Sequence, residues 1–163
     1  QLARAAYKSQ FKEIPGFERW LGNKEESIVI FCLRMIAFYG QHSAAGSTLS
    51  LLQHPSAKVR EEAVITLRHL ESYDAVPMLT SMFYNENTDI QLEILKALPA
   101  IGSGQNLSFF EQVLGIQNRR LQLAAARAMC LSSQEGKAKM LAIKNDPEHA
   151  LQQLAATALS YRA

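Results

Sequence analysis

The chain has 163 residues, 48% of them hydrophobic and 20% charged, with only 8 Gly and 5 Pro, which excludes a disordered tail, a collagen and a disulfide-stapled miniprotein. A net charge of +2, from 17 Lys plus Arg against 15 Asp plus Glu, is too balanced to argue by itself for nucleic acid. The longest strongly apolar run, residues 28–39, is broken by Arg34 and falls short of the roughly 20 residues that a membrane span needs.

The first 14 residues read as an amphipathic basic helix, with Arg4, Lys8 and Lys12 on one stripe and Tyr7, Phe11 and Ile14 on another. Such a helix caps the first unit of an array, and it is the one stretch suited to an anionic membrane surface. Opening on Gln1 without a signal-peptide pattern, the chain is expected to be a segment of a longer protein, with any membrane anchor before it. Cys32 and Cys130 form no metal knuckle or redox motif and favour a reducing compartment, hence a cytoplasmic setting, either free or as the soluble part of an anchored protein.

From residue 15 onward the sequence repeats at an offset of 31. Ile28, Val59, Ile90 and Leu121 share a column that Leu151 continues after a step of 30. Four residues on, the column reads Cys32, Ala63, Ile94, Ala125, Ala155; eight on, Ile36, Leu67, Leu98, Met129, Leu159. That spacing is one stripe of a helix, and Leu33, Val64, Leu95, Ala126 and Ala156 widen it into a buried face. A shorter helix precedes each long one, with columns Phe17, Thr48, Leu79, Phe110, Met140 and Trp20, Leu51, Met82, Val113, Ile143. A third column, Leu21, Leu52, Phe83, Leu114, ends on Lys144.

The turns agree. Asn23 with Glu26 reads as a capping box, Asp146-Pro147 as an N-cap with proline at the first helical position, and Gly40, Gly102 and Ser132-Ser133 as helix ends. Pro99 inside the third long helix is expected to kink it. No segment alternates with period two, so the fold is all-α: about five helix pairs over 15–40, 41–71, 72–102, 103–132 and 133–163.

The second unit, His54-Pro-Ser-Ala-Lys-Val59-Arg60-Glu-Glu-Ala63-Val-Ile-Thr-Leu67, resembles the second helix of a HEAT repeat. The 31-residue period resembles the shorter bacterial variety. The Val-Arg pair occurs once; elsewhere the Arg position holds Val29, Gln91, Gln122 and Gln152. The resemblance implies a right-handed, armadillo-like α-solenoid whose long helices line an inner wall, and a scaffold for protein–protein interaction. Column logic then sets Cys32 and Cys130 about three repeats apart, beyond disulfide reach.

Catalytic chemistry is thinly represented. His42, His54, His69 and His149 lack the His-Glu pairs by which a HEAT-type hydroxylase binds metal, and they read as turn or surface residues; no cofactor and no metal is expected. Glu62 and Glu93 share a column at a glycosidase-like spacing but read as solvated helix glutamates. Cys130 and His69 fall too far apart for a nucleophile and base. Bilin lyases and DNA-modifying glycosylases also resemble HEAT arrays, so an enzyme of either kind, or a basic nucleic-acid binder, is the alternative to a non-catalytic scaffold.

Arg34, Lys96 and Arg127 share one column on the long helices beside apolar surface columns. Exposed apolar strips rimmed by charge mark interaction sites. Phe31, Arg34, Phe38, Leu92, Lys96, Leu123 and Arg127 are therefore the predicted partner-binding residues, suited to an acidic amphipathic protein segment in a helix-in-groove mode.

Overall fold

The computed structural model describes residues 16–102, 104 and 106–160; the cap helix expected over residues 1–14 lies outside them. Among the described residues are nine α-helices and no strand. Contacts divide the chain into two compact units, with the boundary between Leu70 and Glu71.

The first unit holds a 3-10 turn, Phe17–Trp20, then α1 (Glu26–Tyr39), the short α2 (Ala45–Ser50) between 3-10 turns His42–Ala44 and Leu51–Gln53, and α3 (Ala57–His69). Helix α1 packs on α3. Val29, Cys32, Leu33 and Ile36 from α1 meet Val59, Ala63, Val64 and Leu67 from α3, all fully or almost fully buried. Each Val, Leu or Ile among them contributes about 1.5–3 kcal/mol through burial. Gly40 ends α1 at φ 64°, a left-handed conformation that costs a side chain roughly 1–2 kcal/mol. The corresponding residue after α3 is Glu71, which takes φ 52° without being glycine.

The second unit runs α4 (Val76–Met82), α5 (Thr88–Ile101), α6 (Leu107–Leu114), α7 (Arg119–Ser132), α8 (Gln134–Asn145) and α9 (Gln152–Ser160). Helix α5 packs on α7, α7 on α9, and the shorter α6 and α8 on α7. Its core is the expected columns: Ile90, Ile94, Leu95, Leu98, Leu121, Ala125, Ala126 and Met129, with Leu79, Phe110, Val113 and Met140 from the short helices. Asn87 caps α5 by accepting from the Asp89 and Ile90 N–H groups, and Asn118 caps α7 in the same way with Arg120 and Leu121. Ser133 closes α7 and opens α8, accepting from the Gly136 N–H. Gly136 has no room for more: a Cβ there would stand 2.3 Å from the Met129 carbonyl oxygen.

Several local expectations are corrected. Asn23 does not build a capping box with Glu26; its side chain accepts from the Glu25 N–H at 2.8 Å, turning the chain just before α1. Asp146 does the same with Glu148 at 3.0 Å, and α9 begins only at Gln152. Asp and Asn side chains serve both as N-caps and as turn formers that accept from the N–H two residues on, and at these two positions the turn is formed. Gly102 ends α5 in extended conformation, φ −121°, and a Cβ there would stand close to Asn106 Nδ2 at 3.2 Å and Val76 Cγ2 at 3.3 Å, so those side chains would have to give way by a few tenths of an ångström. Helix α5 continues past Pro99 to Ile101. Trp20, expected in a buried column, is 55% exposed, because the first short helix is reduced to a single 3-10 turn.

Candidate partner-binding surface

Helix α1 shows solvent a stripe at helical spacing, Ser27, Phe31, Arg34 and Phe38. Phe31 is 54% and Phe38 44% exposed, a large apolar area left open to solvent. Phe31 meets the edge of Phe17 at a centroid distance of 6.3 Å, Phe17 stacks on Tyr39, and Phe38 packs edge-on to Tyr39 at 5.1 Å. Arg34 stands between the two phenylalanines, its Nε donating to Glu62 Oε2 on α3 at 2.9 Å while the side chain stays 63% exposed. The pair therefore orients the guanidinium without hiding it.

Beside the stripe, the Phe17–Trp20 turn and α1 enclose a pocket of about 400 Å³ lined by Phe17, Arg19, Trp20, Ile28, Phe31 and Cys32. The Cys32 Sγ is buried, and burial pushes its thiol above the ordinary range.

In the second unit Leu92 and Lys96 lie on α5, Leu123 and Arg127 on α7. Lys96 is exposed and pairs with Glu93 on its own helix, whereas Leu92, Leu123 and Arg127 are half-buried. The two leucines thus give part of their surface to packing rather than standing free. Leu131, 50% exposed, continues the α7 row four residues beyond Arg127, so α7 repeats the apolar–cation–apolar order of α1. The seven expected residues fall into these two groups, three in the first unit and four in the second.

The groups weighed for catalysis are otherwise engaged. Glu62 is held by Arg34 and Glu93 by Lys96. His54 Nδ1 accepts from the Ser56 N–H and His149 Nδ1 from the Leu151 N–H, each shaping the turn before a helix. Cys130 is half-buried in α7 of the second unit and His69 ends α3 of the first. Burial raises the Cys130 thiol, and nearby Lys137 lowers it in part. Among the described residues no three His, Cys, Asp or Glu side chains cluster as metal ligands, and no helix is long and apolar enough to cross a membrane.

A family model for HEAT repeats matches residues 46–130, more than half of the chain. The chain belongs to the HEAT-repeat family. All-α among its described residues, it is a repeat scaffold of the α-solenoid class. Among solved structures it is similar to a chain in "the structure of the complex of CpcE and CpcF of phycocyanin lyase from Nostoc sp. PCC7120", at 20% identity and a TM-score of 0.68. The match covers 94% of this chain and 66% of that one, so this chain spans just under two thirds of its length. At that identity the likeness speaks for the fold alone. No curated protein matches the sequence.

The HEAT assignment explains one polar column. Arg60, at the family's arginine position, donates to the His54 and Pro55 carbonyls at 2.8 and 3.0 Å. Gln91, Gln122 and Gln152 stand at the same place in later repeats, and their Nε2 groups donate to the Phe83, Leu114 and Lys144 carbonyls at 2.9, 3.0 and 3.3 Å, each eight residues back. Glutamine thus ties the end of the short helix to the long helix within one repeat, as Arg60 ties its turn. Between repeats most side-chain contacts fall at a shorter spacing: Arg34–Glu62, Tyr84–Gln112 and Glu111–Lys139 span 28 residues and Glu18–Ser47 spans 29, whereas the exposed Asp89–Arg120 pair, at 3.8 Å, spans the full 31.

Proposed function

We propose that this HEAT array is a non-catalytic scaffold that holds a segment of a partner protein along the exposed stripes of its long helices. The observation that carries the reading is the α1 stripe, where Phe31 and Phe38 stay about half exposed on either side of Arg34. Exposed aromatics with a cation between them suit an amphipathic segment, with the apolar side chains supplying affinity and the cation orientation. The α7 row of Leu123, Arg127 and Leu131 offers the same chemistry in the second unit. The similar structure is of a two-protein complex, which supports a protein partner here as well. The partner segment is acidic and amphipathic, the complement of Arg34, Lys96 and Arg127.

The test is capture of partners from source lysate by the full chain and by a Leu92→Ser/Leu123→Ser variant, with far-UV circular dichroism on both. Loss of capture by at least about tenfold at unchanged helix content supports the reading. Because both leucines are half-buried, Phe38→Ser and Lys96→Glu, each at an exposed position, provide a second measurement less tied to the core. Capture unaffected in all of these overturns it. The rival reading, an enzyme of the lyase or nucleic-acid-modifying kind, requires bilin transfer to an acceptor protein or steeply salt-dependent binding of a DNA duplex; either result displaces the scaffold.

A further inference from the structure

We infer that the pocket between the Phe17–Trp20 turn and α1 is the anchor point of that scaffold: it takes one bulky apolar side chain of an acidic partner segment, whose neighbouring carboxylate pairs with Arg19. The inference rests on the proposed scaffold function and adds a site that the stripe residues alone do not contain.

The volume, about 400 Å³, lies within the range of binding pockets. Its wall is aromatic and aliphatic, from Phe17, Trp20, Ile28 and Phe31, and Cys32 closes the floor. Among the described residues of the lining, Arg19 is the charged side chain, beside the Trp20 indole N–H and that thiol. Among the described residues no carboxylate pairs with it: the adjacent Glu18 is turned to the Ser47 hydroxyl on α2. A second guanidinium, that of Arg34, stands one helical turn from Phe31 with its Glu62 partner largely shielded. The rim thus carries one guanidinium, that of Arg19, over a largely apolar interior. The residues before Gly16 carry Arg4, Lys8 and Lys12 against a single acid, Glu13, the wrong sign for this rim. Charge complementarity selects a separate, acidic segment.

Trp20 is the only tryptophan in the chain and half of it is exposed at the pocket, so its emission reports occupancy directly. The experiment titrates the full chain with a synthetic helical peptide carrying Phe and Leu at helical spacing flanked by Glu, and with the same peptide carrying Lys for Glu. A saturable blue shift of Trp20 emission with the Glu peptide only is expected. Arg19→Glu and Phe31→Ser, both at exposed positions, should each weaken it by about tenfold while circular dichroism stays unchanged. A Glu peptide that binds without moving Trp20 emission, or that binds Arg19→Glu as well as the native chain, overturns the inference. So does Trp20 emission already shielded from iodide in the free chain, since the chain's own residues then fill the pocket. Partner capture that depends on Phe38 and Lys96 but not on Arg19 would remove the anchor and leave the scaffold standing.

Discussion

The Thr66 hydroxyl lies 3.2 Å from the Leu33 carbonyl on α1 and 2.8 Å from the Glu62 carbonyl of its own helix, sharing its proton between two neighbouring long helices at a fully buried position. Thr48 is equally buried, in a column otherwise filled by Leu79, Phe110 and Met140, yet its hydroxyl has no hydrogen-bond partner. The same substitution should therefore have opposite signs. Thr66→Val is expected to cost about 1 kcal/mol, the net worth of a buried hydrogen bond, and Thr48→Val to gain about 1 kcal/mol by removing an unsatisfied group. Urea titrations of both variants check this; equal signs would contradict the hydrogen-bond assignment.

The glutamine column gives a second prediction. Replacing Gln91 or Gln122 by Leu removes the tie to the Phe83 or Leu114 carbonyl and should lower stability by about 1 kcal/mol each. Gln91→Arg should retain part of it, because Arg60 at the same column donates to the carbonyls of the turn before its helix. Thermal melts suffice, at roughly 2–4 °C per kcal/mol in a domain of this size.

Glu71 offers a stabilising change. It holds φ 52° where the preceding repeat has Gly40 at φ 64°. Glu71→Gly should gain about 1 kcal/mol, and Gly40→Ala should lose a similar amount. A denaturant midpoint that falls for Glu71→Gly would show that its side chain contributes more than its backbone costs.

Alkaline pH should act through Cys32. Its folded thiol is raised by burial, so both states are protonated below the unfolded value of about 8.5 and the thiol adds no pH dependence there. Above that value the unfolded chain releases its proton first, and stability falls as pH rises toward the folded pKa. Lys139, raised chiefly by its hydrogen bond to Glu111, adds a loss only above about pH 10.4. Cys130, also raised by burial, adds to the same slope, so Cys32→Ala, the residue found at this column in Ala63, Ala125 and Ala155, should reduce the slope between pH 8.5 and 10, and replacing Cys130 as well should flatten it further. In the native chain half-buried Cys130 should react with a thiol reagent well before Cys32.

The core was readable from the sequence because burial in a repeat array is periodic: Val59, Ile90 and Leu121 face a neighbour for the same geometric reason, and their identities record it. The departures lie where periodicity has no information. Trp20 sits in the first, shortened repeat, where one 3-10 turn replaces a helix and its column position no longer points inward. Asn23 and Asp146 carry the side chain a cap needs, but the choice between cap and turn depends on backbone dihedrals that composition does not fix. On the surface, Phe31, Arg34 and Phe38 could be placed on one stripe from spacing alone. The half-burial of Leu92 and Leu123 depends on how closely neighbouring side chains approach. The pocket beside Arg19 arises from the shortened first repeat and has no counterpart in the periodic pattern.

A contact spacing of 28 set against a repeat length of 31 has a consequence for how such a chain changes over time. Duplication of a whole repeat leaves the spacing intact, so each new copy arrives already facing its neighbour in register. What drifts is the identity of the pair. Lys96 illustrates this: the residue 28 positions on is Ala124, which has no carboxylate, and the lysine turns instead to Glu93 on its own helix. The array can lengthen by copying while its exposed pairs diversify singly, and a binding face built on those pairs can be rewritten one repeat at a time without disturbing the apolar columns beneath.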